Sequence, residues 1–163
     1  MSPAARHSAG LLPYALTSGA GSDKVEQIEV FLGHMGGPFW ARKDDGAWSV
    51  VKGEYDPATE EPLAAAQREF EEETGVDLPV PETIPLGEAR SSGKRILAWA
   101  VPADRSLAYV TSSTFTVEWP PRSGRLAEFP EVDRAAWLTL ERARRAIVKS
   151  QVVFLDRLAD LLT

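Results

Sequence analysis

The hydrophobic positions change period several times along the chain. Residues 8–16 form an apolar run, broken by Pro13, that reads as a first strand. Ile28, Val30 and Leu32 alternate with Glu29 and Phe31, as in a strand with one strongly buried face. The turn cluster at 19–23 would let these two strands pair as a hairpin. Residues 36–46 are a loop rich in glycine and charge, and 48–51 form a short strand ending at Lys52 and Gly53. The period then lengthens. A helix is predicted from about 60 to 74, with Pro62 in its first turn and Gly75 as its stop. Residues 83–89 and 95–101 read as strands around a turn at Ser91, Ser92 and Gly93. Residues 109–119 are rich in Val, Thr and aromatics, which favour strands. A loop at 120–125 and a short strand at 135–138 follow. Thr139 and Ser150 are placed to cap two C-terminal helices. The last would bury Val152, Leu155, Leu158, Leu161 and Leu162. The order predicts an α+β fold, a sheet with helices packed on it, in one domain over residues 1–163.

Chemistry concentrates in the predicted helix. Glu69, Glu72 and Glu73 are related as i, i+3 and i+4, which puts three carboxylates on one face. Leu63, Ala66 and Phe70 form an adjacent apolar stripe that can hold the helix on a sheet. Like charges at this spacing destabilise a helix by roughly 0.2–0.5 kcal/mol per pair. Folding does not require such a cluster, whereas a hard cation does. Compact carboxylate oxygens suit Mg²⁺, or Mn²⁺, with substrate phosphate oxygens completing the shell. The competing explanation, a solvated acidic face, is the usual fate of an isolated charge run.

Composition narrows the classes. The chain has 163 residues, ordinary hydrophobic and charged fractions, and a net charge of −6. That charge argues against a nucleic-acid polymer as partner but allows a phosphorylated small molecule, because a cation reverses the local sign. With no cysteine, disulfide and thiolate chemistry are excluded. His7 and His34 are too far apart in sequence to suggest a zinc site. No apolar run approaches the roughly 20 residues that span a bilayer, and the N-terminus lacks the long apolar core of a secretory signal. No membrane association and a cytoplasmic location are the expectation.

The wider pattern resembles the Nudix box, G-x5-E-x7-R-E-U-x-E-E-x-G-U with U apolar. Here Gly53 is followed by Glu60, then by Arg68-Glu69-Phe70-Glu71-Glu72-Glu73-Thr74-Gly75-Val76. At residue frequencies of about 6–7% each, a chance match is on the order of 10⁻⁸ to 10⁻⁹ per start position. One departure stands out. Six residues, not five, separate Gly53 from Glu60, which puts the role of Glu60 in question.

This resemblance implies an α/β/α sandwich around a mixed sheet and a hydrolase acting on a nucleoside diphosphate linked to another moiety. It implies metal binding by Glu69, Glu72, Glu73 and the Gly53 carbonyl, with Arg68 orienting the glutamates. The proton acceptor would be Glu69 or a glutamate on a distant loop. Glu128 is the first loop candidate, with Glu131 and Glu118 as rivals. Residues 48–53 resemble the W-x-x-P-K-G lead-in of dinucleoside polyphosphate and diphosphoinositol hydrolases, with Val51 in place of Pro. Lys52 would then hold phosphate, Trp40 and Phe39 would stack on a base, and Arg42, Arg122 and Arg125 would reach phosphates. Dinucleoside polyphosphates or nucleoside triphosphates are the first substrates expected. ADP-sugars, inositol pyrophosphates and a non-catalytic binding domain are the alternatives. The oligomeric state is open, a homodimer included.

Overall fold

The computed structural model describes residues 6–17, 28–80 and 82–163. The turn cluster at 19–23 lies outside the described residues. In chain order the strands are β1 (Arg6–Leu16), β2 (Ile28–Met35), β3 (Trp48–Ser49) and β4 (Val51–Glu54). Helix α1 (Pro62–Thr74) follows, then β5 (Ile84–Ser91), β6 (Lys94–Pro102), β7 (Thr114–Glu118), β8 (Leu126–Pro130) and β9 (Val132–Thr139). The chain ends with α2 (Leu140–Ala146), a 3-10 turn (Lys149–Gln151) and α3 (Val152–Leu162).

Seven strands make one mixed sheet, and β7 and β8 form a separate two-stranded ribbon. β1 is central. Along one edge it runs parallel to β6, from Arg6 opposite Lys94 to Tyr14 opposite Pro102. Along its other edge the partner changes. Residues 14–16 pair antiparallel with 28–30 of β2, as the hairpin reading expects. Residues 8–11 pair instead with 51–54 of β4. β3, one residue upstream of β4, pairs with β2 at Gly33 and His34. The 48–54 segment is therefore a wedge driven between β1 and β2, and it changes partner at Val50. That split is why a single expected strand is two short ones.

Both sheet faces are covered. Leu12, Val30, Leu32 and Val50 join the core under α2 and α3. Their neighbours Leu11, Phe31 and Val51 join the core under α1. Phe31 is therefore as buried as the residues beside it, and β2 has two buried faces rather than one. The result is a mixed sheet between helical layers, the sandwich that the resemblance implies.

Four local expectations need correction. Residues 109–113 are not strand. Val110 and Thr111 donate to the Thr74 carbonyl and Ser113 to that of Glu72, so this stretch satisfies the free carbonyls at the end of α1. Strand β8 was not expected, because residues 126–130 lack an alternating pattern. Ser150 caps nothing. It lies inside the 3-10 turn, and Gln151 stands at the head of α3. The buried face of α3 is Phe154, Leu155, Leu158 and Ala159, while Leu161 is 55% exposed. Thr139 does cap α2, its side chain accepting from the Arg142 N–H.

Candidate active site

Helix α1 begins at Pro62, where a missing N–H is harmless, and ends at Gly75. Gly75 adopts φ 78°, left-handed backbone that favours glycine, and its N–H closes on the Glu71 carbonyl. Ala65, Ala66 and Phe70 bury the helix on the sheet, with the Phe70 ring 6.2 Å from that of Phe31. Glu69 and Glu73 share this buried side, and Glu72 stands at its exposed margin. The ligand oxygens of Glu69, Glu72 and Glu73 lie within 4.8 Å of one another.

Gly53, on the wedge strand, is pressed against this cluster. A Cβ at Gly53 would overlap the Glu69 carboxylate. Glycine is thus required here for close approach of backbone to carboxylate.

Arg68 binds three glutamates. Its Nε and Nη2 donate to the two oxygens of Glu60, each at 2.8 Å. Its Nη1 donates to Glu69 at 2.9 Å and to Glu72 at 3.0 Å. The Glu60 fork holds that carboxyl's pKa below its ordinary value and raises that of the guanidinium. The extra residue between Gly53 and Glu60 is absorbed in a turn at Asp56. There Thr59 and Glu60 donate to the Asp56 carbonyl, and Ala58 donates to its side chain. Glu60 reaches Arg68 despite the insertion.

Glu73 is held from the other side. The Ser113 hydroxyl donates to it, and Ser112 Oγ lies 3.3 Å away. Ser112 Oγ also accepts from the Val132 N–H, and the Ser113 carbonyl accepts from the Glu131 N–H. The same stretch that closes the end of α1 therefore fixes Glu73 and sets Glu131 beside it. Burial pushes the Glu73 carboxyl up to about 7, with the charges of Glu131 and Glu69 adding and the Ser113 hydrogen bond opposing. Glu69 is also raised, by burial and then by Glu72, with Arg68 opposing.

Two clefts meet at these residues, with Lys52, Glu73 and Glu131 lining both. One, of about 420 Å³, is the acidic side and adds Gly53, Glu69, Glu72 and Lys94. The other, of about 230 Å³, adds Trp40, Met35 and Phe115. Burial lowers the pKa of Lys52 first, and the nearby charge of Lys94 lowers it further, against the pull of Glu54, Glu131 and Glu69.

Of the candidates read from sequence, Gly53, Arg68, Glu69, Glu72, Glu73, Lys52 and Trp40 come together around this groove. Others do not. Glu128 lies on β8, exposed, with its carboxylate accepting from Thr114. The ribbon's strand alternation turns it away, and Glu131, just past the ribbon, lines both clefts instead. Glu118 is exposed on β7. Arg42, Arg122 and Arg125 are exposed on loops and line neither cleft. Phe39 meets Trp119 edge-on at 5.4 Å and lines neither of these two clefts. Ser112, Ser113, Lys94 and Phe115 were missed, and no local pattern marks them. They reach the groove through long-range pairing.

The residues fit a hard divalent cation. The donors are carboxylate oxygens, two of the three carboxylates are buried, and the glycine backbone leaves room for them.

The NUDIX domain family model matches residues 25–158. No curated protein matches the chain in sequence. Among solved structures, an Ap4A hydrolase of C. elegans in a binary complex is 21% identical, with TM-score 0.59, covering 96% of this chain and 97% of its own. A mutT/nudix family protein from Listeria innocua is 15% identical, with TM-score 0.62 and coverages of 98% and 95%. The NUDIX domain of Shewanella oneidensis NrtR, complexed with ADP ribose, is 13% identical, with TM-score 0.60 and coverages of 99% and 91%. At these identities the structures speak to the fold. The family match spans most of the chain and includes the glutamate helix, so the chain belongs to the NUDIX family and is a Nudix hydrolase.

Proposed function

We propose that this enzyme is a Mg²⁺-dependent pyrophosphohydrolase of nucleotides with a polyphosphate chain, dinucleoside polyphosphates first. The observation that carries this reading is the shared groove. Three glutamates, a glycine backbone, two lysines and the separate Glu131 converge on it.

Glu69, Glu72, Glu73 and the Gly53 carbonyl would hold the metal. Bound there, Mg²⁺ neutralises phosphoryl charge and acidifies water. Arg68 holds Glu69 and Glu72 in place. Ser113 does the same for Glu73. Lys52 binds the phosphate chain where the two clefts join. Glu131 takes the proton from the attacking water, because its backbone is pinned to Ser113 and its side chain faces both clefts. Water attacks phosphorus directly, with no covalent enzyme intermediate. The aromatic cleft, with Trp40 and Phe115, takes a nucleoside.

The similar C. elegans protein is an Ap4A hydrolase, which supports this substrate class, and the residue 48–53 lead-in points the same way. The NrtR domain was solved with ADP ribose, which makes ADP-sugars the second reading. Among the described residues no helix is long and apolar enough to cross a membrane. A cytoplasmic location and a small-molecule substrate, with no nucleic-acid polymer, complete the proposal.

The test is a panel of dinucleoside polyphosphates, nucleoside triphosphates, inositol pyrophosphates and ADP-ribose with Mg²⁺ in oxygen-18 water, followed by product identification. Label should enter a phosphate-containing product. Faster turnover of ADP-ribose than of any polyphosphate would replace the substrate class. Glu131→Gln should lower kcat by about 10²-fold, and Glu128→Gln by less than about twofold.

A further inference from the structure

The arginines on the elements around the acidic cleft are already paired. Arg68 is engaged by Glu60, Glu69 and Glu72. Arg6 lies 3.7 Å from Glu54, and Arg95 lies 3.1 Å from Glu88. Two ammonium groups lining the cleft, Lys52 and Lys94, have no ion-pair partner within 4.0 Å among the described residues. Both line the same cleft as Glu69, Glu72 and Glu73. A cation held by those glutamates would offset their charge and leave both ammonium groups to an arriving polyanion.

The backbone explains their positions. Lys52 is on the wedge strand, directly opposite Gly10 of β1. Lys94 opens β6 just after the tight turn at Ser92 and Gly93, opposite Arg6 on the far edge of the same β1 strand. The glutamate cluster sits on the wall contributed by α1. A chain of phosphates lying along the cleft past those glutamates meets Lys52 where the two clefts join. Lys94 lines only the acidic cleft, away from that junction.

We propose that Lys94 is a specificity-determining residue that binds the distal phosphates of a long polyphosphate chain, with Lys52 binding the proximal ones. The pair makes the acidic cleft a reader of chain length. The inference rests on the proposed polyphosphate reading of the same groove. On this reading a diphosphate such as ADP-ribose engages Lys52 alone.

Lys94 is exposed, so Lys94→Ala should leave the fold intact. Two measurements test its role. In the first, kcat/KM is compared across dinucleoside polyphosphates of increasing chain length and ADP-ribose. Lys94→Ala should lower kcat/KM about tenfold for the longest chains and change it by less than about twofold for ADP-ribose, with Lys94→Arg restoring most of the loss. In the second, binding of inorganic tetrapolyphosphate and of pyrophosphate is measured by calorimetry in Mg²⁺. The variant should lose affinity for the tetrapolyphosphate alone. Equal losses for long and short anions, or no loss for either, would overturn the proposal. If the wild-type enzyme prefers ADP-ribose, the substrate reading fails, and the calorimetric arm still decides whether Lys94 reads chain length.

Discussion

The wedge segment, residues 48–54, is flanked by buried polar side chains on both faces, and they are satisfied in opposite ways. On the α3 side, Gln151 is 2% exposed. Its Oε1 accepts from the Val50 N–H at 2.9 Å, and its Nε2 donates to Ser49 Oγ at 3.0 Å. The amide is used up within the protein at the point where the wedge changes partner. On the α1 side, Glu69 and Glu73 are nearly as buried, at 8% and 4%, but they are ionisable and open onto a cleft. Their known partners, Arg68 and Ser113, occupy only part of their acceptor capacity. A closed neutral network positions backbone. An open set of buried carboxylates, with pKa values pushed up, carries an electrostatic cost that a bound cation removes.

The largest consequence of that contrast is on turnover. Glu73→Gln keeps the shape and the Ser113 contact but removes the charge. It should lower kcat on the order of 10³-fold while the fold, read by circular dichroism, is unchanged. Excess EDTA should abolish turnover of the wild type. Undiminished activity in either experiment would make the α1 glutamates as structural as Gln151.

The next effect is on stability without metal. The folded protein raises the Glu73 carboxyl from 4.5 to about 7. It therefore holds that proton more tightly than the unfolded chain. The stabilisation is whole below pH 4.5 and is lost as pH rises through 7. Its upper bound is about 3 kcal/mol. Tm of the metal-free protein should fall across this window. Mg²⁺ should restore it at the high end by mass action, and Glu73→Gln should flatten the profile. A Tm of the metal-free protein that rises from pH 5 to 7 through Glu73 would contradict the burial argument.

The same contrast explains what could be read in advance. Local signals found the glutamate face, the Gly75 stop, the Thr139 cap and most strands, because each is written in spacing over a few residues, while Arg68 came from the family resemblance. The insertion before Glu60 left its role open, because loop length alone does not say whether a turn at Asp56 can absorb one residue. Glu131 was ranked behind Glu128 because both lie in one short acidic stretch. Only the ribbon pairing of Thr116 with Glu128 and the pinning of Glu131 to Ser113 separate them. Gln151 had no signal, since its partners are about a hundred residues earlier. Residues 109–113 have strand composition, but helix carbonyls outcompete a strand neighbour for their N–H groups.

Gln151→Ala tests the closed side. The change leaves the Val50 N–H buried without its partner, at a loss of about 2 kcal/mol in stability. Denaturant unfolding should show it as a lower midpoint. Because Val50 is next to Val51 and two residues from Lys52, some activity loss through position is expected, but within about threefold per folded molecule. A fall in kcat as large as that of Glu73→Gln, with no loss of stability, would erase the distinction between the two faces.

The smallest effect belongs to Lys52, which sits on the wedge itself and belongs to the open side. Its ammonium is depressed by burial and by Lys94, and among the described residues it has no ion-pair partner within 4.0 Å. Glu54, Glu69 and Glu131 pull on it only from beyond ion-pair distance, unlike Glu29, which meets Arg105 at 2.9 Å. Its charge is therefore available to a ligand that arrives with several negative charges. Lys52→Ala should raise KM by about tenfold for a dinucleoside tetraphosphate and leave kcat within about threefold, because it binds the chain in ground and transition states alike. The effect on ADP-ribose should be smaller, since fewer phosphate oxygens are within reach. Added salt should shrink the difference between wild type and variant, as screening weakens a partly exposed charge contact. Equal losses on both substrates, insensitive to salt, would mean that Lys52 serves the wedge as Gln151 does and does not hold the chain.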